Sequence, residues 1–152
     1  MRPNETEYKI YQVNAFTDTL FKGNPACVIP LKKWLPDELL LKIAKENAVA
    51  ETAYFIEHKD HFHLRWFTPD IEMDLCGHAT LAAAHIIKSE LKSTDEIKFR
   101  SLSGDLSVRC KEDLYDLNLP SRKPVSAKLP NEIKLALSIQ PEYIFKSRDY
   151  LL

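Results

Sequence analysis

The segment 77–91 constrains the fold more than any other stretch of this chain. Ala79, Leu81, Ala82, Ala83, Ala84, Ile86 and Ile87 make it apolar nearly all the way round at helical spacing, until Lys88, Glu90 and Lys92 intervene. A helix without a polar face has to be covered on every side in water. The rest of the chain is rich in short strand patterns, so the expected cover is a sheet curled around this helix. The apolar run falls short of the ~18 residues of a membrane span, so it reads as a core helix.

The flanking patterns give the order ββ-α-ββ-α-βββ-α. Residues 8–15 alternate and are rich in aromatic and β-branched types. A polar loop with Thr17, Asp18, Thr19, Gly23, Asn24 and Pro25 follows, then a short apolar strand over 26–29. Pro36 opens a helix over 36–47, with Asp37 and Glu38 where the helix dipole favours acids. Within it Leu39, Leu40, Ile43 and Ala44 recur at helical spacing. Residues 51–57 and 61–67 read as a hairpin around His58, Lys59 and Asp60. In its second strand Phe62, Leu64 and Trp66 share one face, and His61, His63 and Arg65 share the other. Strands are expected at 96–102, 105–110 and 113–119, with Ser101 to Gly104 as a hairpin turn. Pro120, Pro124 and Pro130 punctuate a loop, and Asn131 caps a short helix at 132–138. Tyr150, Leu151 and Leu152 read as the opening of a strand at which the sequence stops, so the chain is expected to be truncated. Strands and helices do not alternate strictly. The fold class expected is therefore α+β: one domain over 1–152, a mixed β-sheet rolled into a barrel around one central buried helix.

Composition removes several function classes. Lys plus Arg is 21 against 22 for Asp plus Glu, a net charge of −1, which gives no overall attraction to nucleic acid or to an anionic membrane. With 152 residues there is little room for a second domain. The only glycines are Gly23, Gly77 and Gly104, so there is no Gly-rich phosphate loop and no dinucleotide-binding fingerprint. The start, Met1 to Glu7, is polar and acidic, unlike a signal peptide. Cys27, Cys76 and Cys110 are odd in number and lack CxxC spacing, which fits reduced thiols of a cytoplasmic protein.

Three groups of residues could carry chemistry. Asp74-Leu75-Cys76-Gly77-His78-Ala79-Thr80 leads into the apolar helix, whose first N–H groups lack intrahelical partners and favour anions. Gly77 would let an anion approach that backbone, and Cys76 or His78 could move a proton beside it. The alternative is a tight turn that needs Gly77 for backbone reasons, with Cys76 as a small core residue. Glu51 falls in phase with Ala53 and Phe55, so its carboxylate starts an apolar strand face. Desolvation there would suit a general acid/base, whereas a solvated strand end would not. His58, His61 and His63, with Glu57 and Asp60, have the composition of a metal site. Arg65 on the same face opposes a cation, and the pattern also suits a solvated outer face. His85 lies two turns from His78, at ~10 Å too far to share a ligand, and reads as a core histidine with a hydrogen-bond partner. There is no G-x-S-x-G elbow.

Six short segments in order resemble the PhzF-like isomerase family of phenazine biosynthesis. They are Val13-Asn14-Ala15-Phe16-Thr17, Phe21-Lys22-Gly23-Asn24-Pro25-Ala26-Cys27-Val28, Ile43-Ala44-Lys45-Glu46-Asn47, Glu51-Thr52-Ala53-Tyr54-Phe55, Leu64-Arg65-Trp66-Phe67-Thr68-Pro69 and Leu75-Cys76-Gly77-His78-Ala79-Thr80-Leu81-Ala82. The resemblance spans essentially the whole chain but only the N-terminal half of the family's usual length. It implies one lobe of a diaminopimelate epimerase-like fold, with 77–91 as the helix inside a rolled sheet and its start facing a cleft between lobes.

By the same resemblance, the chemistry is cofactor-free and metal-free isomerisation of a small hydroxy or amino acid by proton transfer. Glu51 is then the acid/base and His78 the second catalytic residue, with Gly77, Asn24 and Cys76 around a small anionic substrate. Three features depart from the family. Ala50 stands where members commonly carry Ser. Cys76 occupies the place of the epimerases' catalytic thiol, and it reads as a packing residue. The aspartate and the Gly/Ser segment of the family's second lobe have no counterpart, so half an active site is expected. Two rival readings are a Cys76-based epimerase or racemase, and a truncated non-catalytic binding or assembly module. The two-lobed pseudo-symmetry of the family further implies that two copies of this chain pair as a homodimer around one cleft.

Overall fold

The structure, a computed structural model, describes residues 7–91, 96–112 and 114–147. The chain divides into two compact units, Met1–Pro120 and Ser121–Leu152. The first contains β1 (Tyr11–Ala15), β2 (Asn24–Leu31), α1 (Asp37–Asn47), β3 (Glu51–Glu57), β4 (Phe62–Phe67), β5 (Glu72–Met73), α2 (Gly77–Leu91), β6 (Glu96–Ser101), β7 (Gly104–Lys111) and β8 (Leu114–Asn118). The second contains β9 (Val125–Ser126) paired antiparallel with β10 (Phe145–Lys146), and α3 (Asn131–Ala136). The strand expected at 150–152 lies outside the described residues.

One mixed sheet runs in the order β1-β2-β3-β4-β6-β7-β8, with β5 attached to β4. β2–β3 and β4–β6 are parallel, and the other pairs are antiparallel. Laid flat, seven strands at ~4.8 Å spacing would set β1 about 29 Å from β8. Yet α2, roughly 10–12 Å across with its side chains, packs against β1, β2 and β3 and also against β7 and β8. The sheet is therefore curled into a half-barrel around the helix. Phe55, Phe62, Leu64, Trp66, Ile97, Phe99, Leu106 and Val108 point inward and join Ala79, Ala82, Ala83, Ala84, Ile86 and Ile87 in the main core.

Four expectations need correction. The sheet is an open half-barrel with β1 and β8 as its end strands, not a closed barrel. In keeping with that opening, α2 is not buried all round: Leu81, His85, Lys88 and Ser89 form a stripe that is half-buried or exposed. The composition of a helix shows which faces tolerate burial, but the number of strands available decides which are covered. His85 is exposed rather than a core residue, although its Nδ1 does meet the Tyr115 hydroxyl at 2.9 Å.

The outer face of β4 is not solvated either. Helix α1 covers it, and Ile29, Leu31, Leu40, Ala44, Tyr54 and Phe67 form a second core. Over that core Arg65 binds Glu72 through two nitrogens, both at 2.6 Å, and reaches Asp37 in the first turn of α1 at 2.9 Å. Its guanidinium stacks over Trp34 and Phe67, at 5.2 and 5.0 Å from the ring centroids. The Trp34 indole N–H donates to His63 Nδ1 at 3.2 Å, and His58 stacks on His61 at 4.8 Å. Arg65 thus recruits Glu72 and Asp37, while His61 Nδ1 meets Asp60 Oδ1 at 2.9 Å.

Burial holds the His63 imidazole below the ordinary histidine value, and the charges of His58, Arg65 and His61 push the same way. The folded state therefore binds this proton more weakly than the unfolded chain does. The resulting stability is present above the unperturbed value of 6.5 and is lost as pH falls through it toward the folded value. Thermal unfolding at about pH 7.5 and about pH 5.5 checks this: the wild type is expected to lose more Tm on acidification than His63→Gln.

Candidate active site

Two connections bring the expected site residues to one end of the half-barrel. Ala48, in the left-handed region at φ 52°, turns the chain from α1 into β3 within three residues. The Asn47 amide donates to the fully buried Thr52 hydroxyl at 3.0 Å, which ties the start of β3 to the end of α1. On the other side, Thr68 Oγ1 accepts from the N–H groups of Asp70 and Ile71 at 3.2 and 3.0 Å and reverses β4 into β5. β5 then delivers Asp74 to Cys76 at the start of α2. The Ser103 hydroxyl, at the tip of the β6–β7 hairpin, donates to Asp74 at 3.3 Å.

Glu51 is the first residue of β3 and lies opposite Ala26 of β2, on the face that carries Ala53 and Val28 against α2. His78 is the second residue of α2. Their side chains meet across the sheet–helix seam, with Glu51 Oε2 and His78 Nε2 3.3 Å apart and both residues largely buried. The pair stands at ion-pair distance without forming a hydrogen bond. Among the buried side-chain nitrogen and oxygen atoms of the described residues, only these two and the indole nitrogen of Trp66 lack a hydrogen-bond partner. On the other side of the imidazole, Nδ1 lies 3.4 Å from the buried sulfur of Cys76. Burial pushes the Cys76 thiol up to about 12, and the Glu51 charge adds to that shift while the N–H groups of Ala79 and His78 oppose it.

The ligating atoms of Glu51, Cys76 and His78 lie within 4.8 Å of one another, close enough to converge on one cation. A sulfur must lose its proton to bind a metal, and burial opposes that loss at Cys76. His58, His61 and His63 form no such convergent set among the described residues.

The remaining expected residues take clear places. Asn24 opens β2 opposite Ala15, two residues before Ala26, so strand alternation puts it on Glu51's face at the mouth of the half-barrel. It is held there by Gly23 at φ 81°, where an added Cβ would sit 2.4 Å from the Ala15 carbonyl oxygen. Gly77 differs from the other two glycines. Its φ is not positive, and an added Cβ would meet only Leu117 at 3.7 Å and Leu119 at 4.0 Å, ordinary contacts. Neither a positive φ nor a close backbone contact therefore requires glycine at this position. Asn47 and Thr52 were missed as positioning groups, although both fall within the motif segments.

Two sizeable clefts lie elsewhere. One of about 790 Å³ is lined by Tyr8, Lys32, Lys33 and Glu90 near the far end of α2. The other, about 570 Å³, runs between β1 and β8 over Leu81 and His85. Glu51 and His78 line neither, because they form a single wall.

Comparison with known proteins places the chain. The sequence model of the PhzC-PhzF family, described as phenazine biosynthesis-like protein, matches residues 13–140. An uncharacterized isomerase of Pseudomonas aeruginosa is 43% identical over 147 residues, covering 96% of this chain and 57% of the relative. A crystal structure of a PhzF-family phenazine biosynthesis protein from Enterococcus faecalis is 41% identical with a TM-score of 0.82, covering 95% of this chain and 55% of that one. A predicted epimerase of P. aeruginosa, 20% identical with a TM-score of 0.64 over 70% of this chain and 40% of that one, shares the fold. This chain belongs to the phenazine biosynthesis-like family, and it spans little more than half the length of these two closer relatives. Among the described residues no helix is long and apolar enough to cross a membrane.

Gly77→Ala is expected to leave Tm unchanged or to raise stability by up to about 1 kcal/mol, since Ala suits a helix better. The same change should weaken binding of small hydroxy- and amino-carboxylic acids by about tenfold, read as amide shifts at 76–79 in an NMR titration.

Proposed function

We propose that this chain carries the proton-transfer wall of a PhzF-like isomerase, with Glu51 as general acid/base and His78 as its partner. One observation carries the reading: a carboxylate and an imidazole, both largely buried, whose facing atoms Oε2 and Nε2 stand 3.3 Å apart with no hydrogen-bond partner among the described residues, at the first turn of a helix. Glu51 takes a proton from a carbon beside the substrate's activating carboxylate or enamine. The electron pair moves into the conjugated system, and the same proton returns to another carbon of that system. Atoms and charge balance without a cofactor. The N-terminus of α2, with Gly77 first, holds the anionic group, and Asn24 closes the side of the mouth. The half-barrel around α2 is, in this reading, one lobe of a diaminopimelate epimerase-like fold, acting on a small hydroxy or amino acid in the cytoplasm.

The thiol-based epimerase is the weaker reading. It needs a thiolate at working pH, and burial keeps the Cys76 sulfur protonated to about 12. In D2O, NMR of small hydroxy and amino acids incubated with the chain should show deuterium entering a carbon-bound position. Glu51→Gln is expected to slow that incorporation by about 10²–10⁴-fold. Incorporation that survives Glu51→Gln and dies in Cys76→Ser would favour the thiol. No incorporation with any of them would leave the binding-module reading.

The mouth of the half-barrel is rimmed by exposed Phe16, Leu20, Phe21, Ile71 and Leu102, with Phe21 97% accessible. The strand registers put the ends of β1, β4 and β6 and the start of β3 at this same end. An apolar rim around a one-walled site is a surface built to be covered. In a solution of this chain alone the available cover is a second copy, so we read the protein as a two-fold homodimer that closes its own cleft. Sedimentation over a wide concentration range should show a dimer, and Phe21→Asp should shift it to monomer. A wild type that stays monomeric throughout rejects the pairing.

A further inference from the structure

The sulfur of Cys76 has two kinds of neighbour, and together they settle what it does for His78. The backbone N–H groups of His78 and Ala79, in the first turn of α2, favour the negative form of the sulfur and oppose the effect of burial on it. The imidazole Nδ1 of His78 lies 3.4 Å away on another side. The residue is anchored from behind as well: its carbonyl oxygen accepts from the Thr80 N–H at 3.2 Å and the Thr80 hydroxyl at 2.5 Å, and Thr80 is fully buried. Sulfur, anchor and ring are therefore held in one geometry.

We propose that Cys76 is a positioning residue whose S–H donates to His78 Nδ1, fixing the neutral imidazole with its proton on Nε2, toward Glu51. The Glu51 carboxylate beside Nε2 can only accept, so it favours the imidazole proton on that nitrogen, and the sulfur then meets Nδ1 as a donor. A neutral imidazole carries one N–H, so an Nδ1 that accepts forces the proton onto Nε2. That nitrogen is the one 3.3 Å from Glu51 Oε2. The order is then fixed in one sense: the thiol donates to the imidazole, whose own proton lies on the Glu51 side, and no bond is made to the sulfur. This goes deeper into the acid/base reading of the site and rests on it for its catalytic meaning, but the hydrogen-bond pattern itself does not depend on turnover.

Infrared difference spectroscopy of the full chain isolates the Cys76 S–H stretch as the band lost in Cys76→Ala. The band is expected below the frequency of a free thiol and is expected to move up when His78→Leu removes the acceptor. In the wild type, ¹⁵N NMR of labelled histidine should show His78 Nδ1 unprotonated. An unshifted S–H band, or a protonated Nδ1, overturns the proposal even if the enzyme is active. Where turnover is measurable, Cys76→Ala should lower kcat by about tenfold at unchanged KM, the worth of one neutral hydrogen bond, and Cys76→Ser, which keeps a donor, should restore it. Equal losses in Ala and Ser also overturn it. A chain with the expected spectra and no turnover sinks the isomerase reading and leaves this one standing.

Discussion

Helix α2 has too little polar surface to face water, and a single curled sheet is the cover available to it. The rest of the first unit follows from that. Wrapping brings β1, β2 and β3 to one flank of the helix and β7 and β8 to the other. Each strand then has an inner face that is apolar and an outer face free for other work. On the outer face of β3 and β4, that work is docking α1 through Arg65, Glu72 and Asp37.

The wrapped geometry also makes the site. A helix lying against a curled sheet presents its first turn at one rim, where the unpaired N–H groups meet the start of β3. Glu51 sits at that rim on the inner face because β3 has to bury Ala53 and Phe55 behind it. The carboxylate is therefore drawn under the sheet by packing and meets His78 with little freedom left to either side chain. Cys76 lies on the other side of the ring, where burial raises its thiol and favours the protonated form.

Much of this was legible along the chain. The alternation in 62–67, the helical spacing in 36–47 and the turn at 101–104 map onto β4, α1 and the β6–β7 hairpin, because each pattern is local. The histidines at 58, 61 and 63 were harder to read. Their spacing favours a wet face over a ligand set, and only the tertiary structure sets Trp34 against His63 and stacks His58 on His61. The distance of His85 from the core was illegible for a similar reason. Its helix is apolar around it, but the sheet stops before closing over that side.

The sequence by itself determined the elements, the membership of the phenazine biosynthesis-like family and the identity of the acid/base candidates, since residue type and spacing are properties of the chain. Tertiary structure alone decided that the barrel is open, that Gly77 has room for a side chain it does not carry, and that Glu51 and His78 stand 3.3 Å apart. Residues 51 and 78 belong to elements whose meeting depends on the sheet's curl. Curl comes from packing summed over seven strands, which no local pattern encodes.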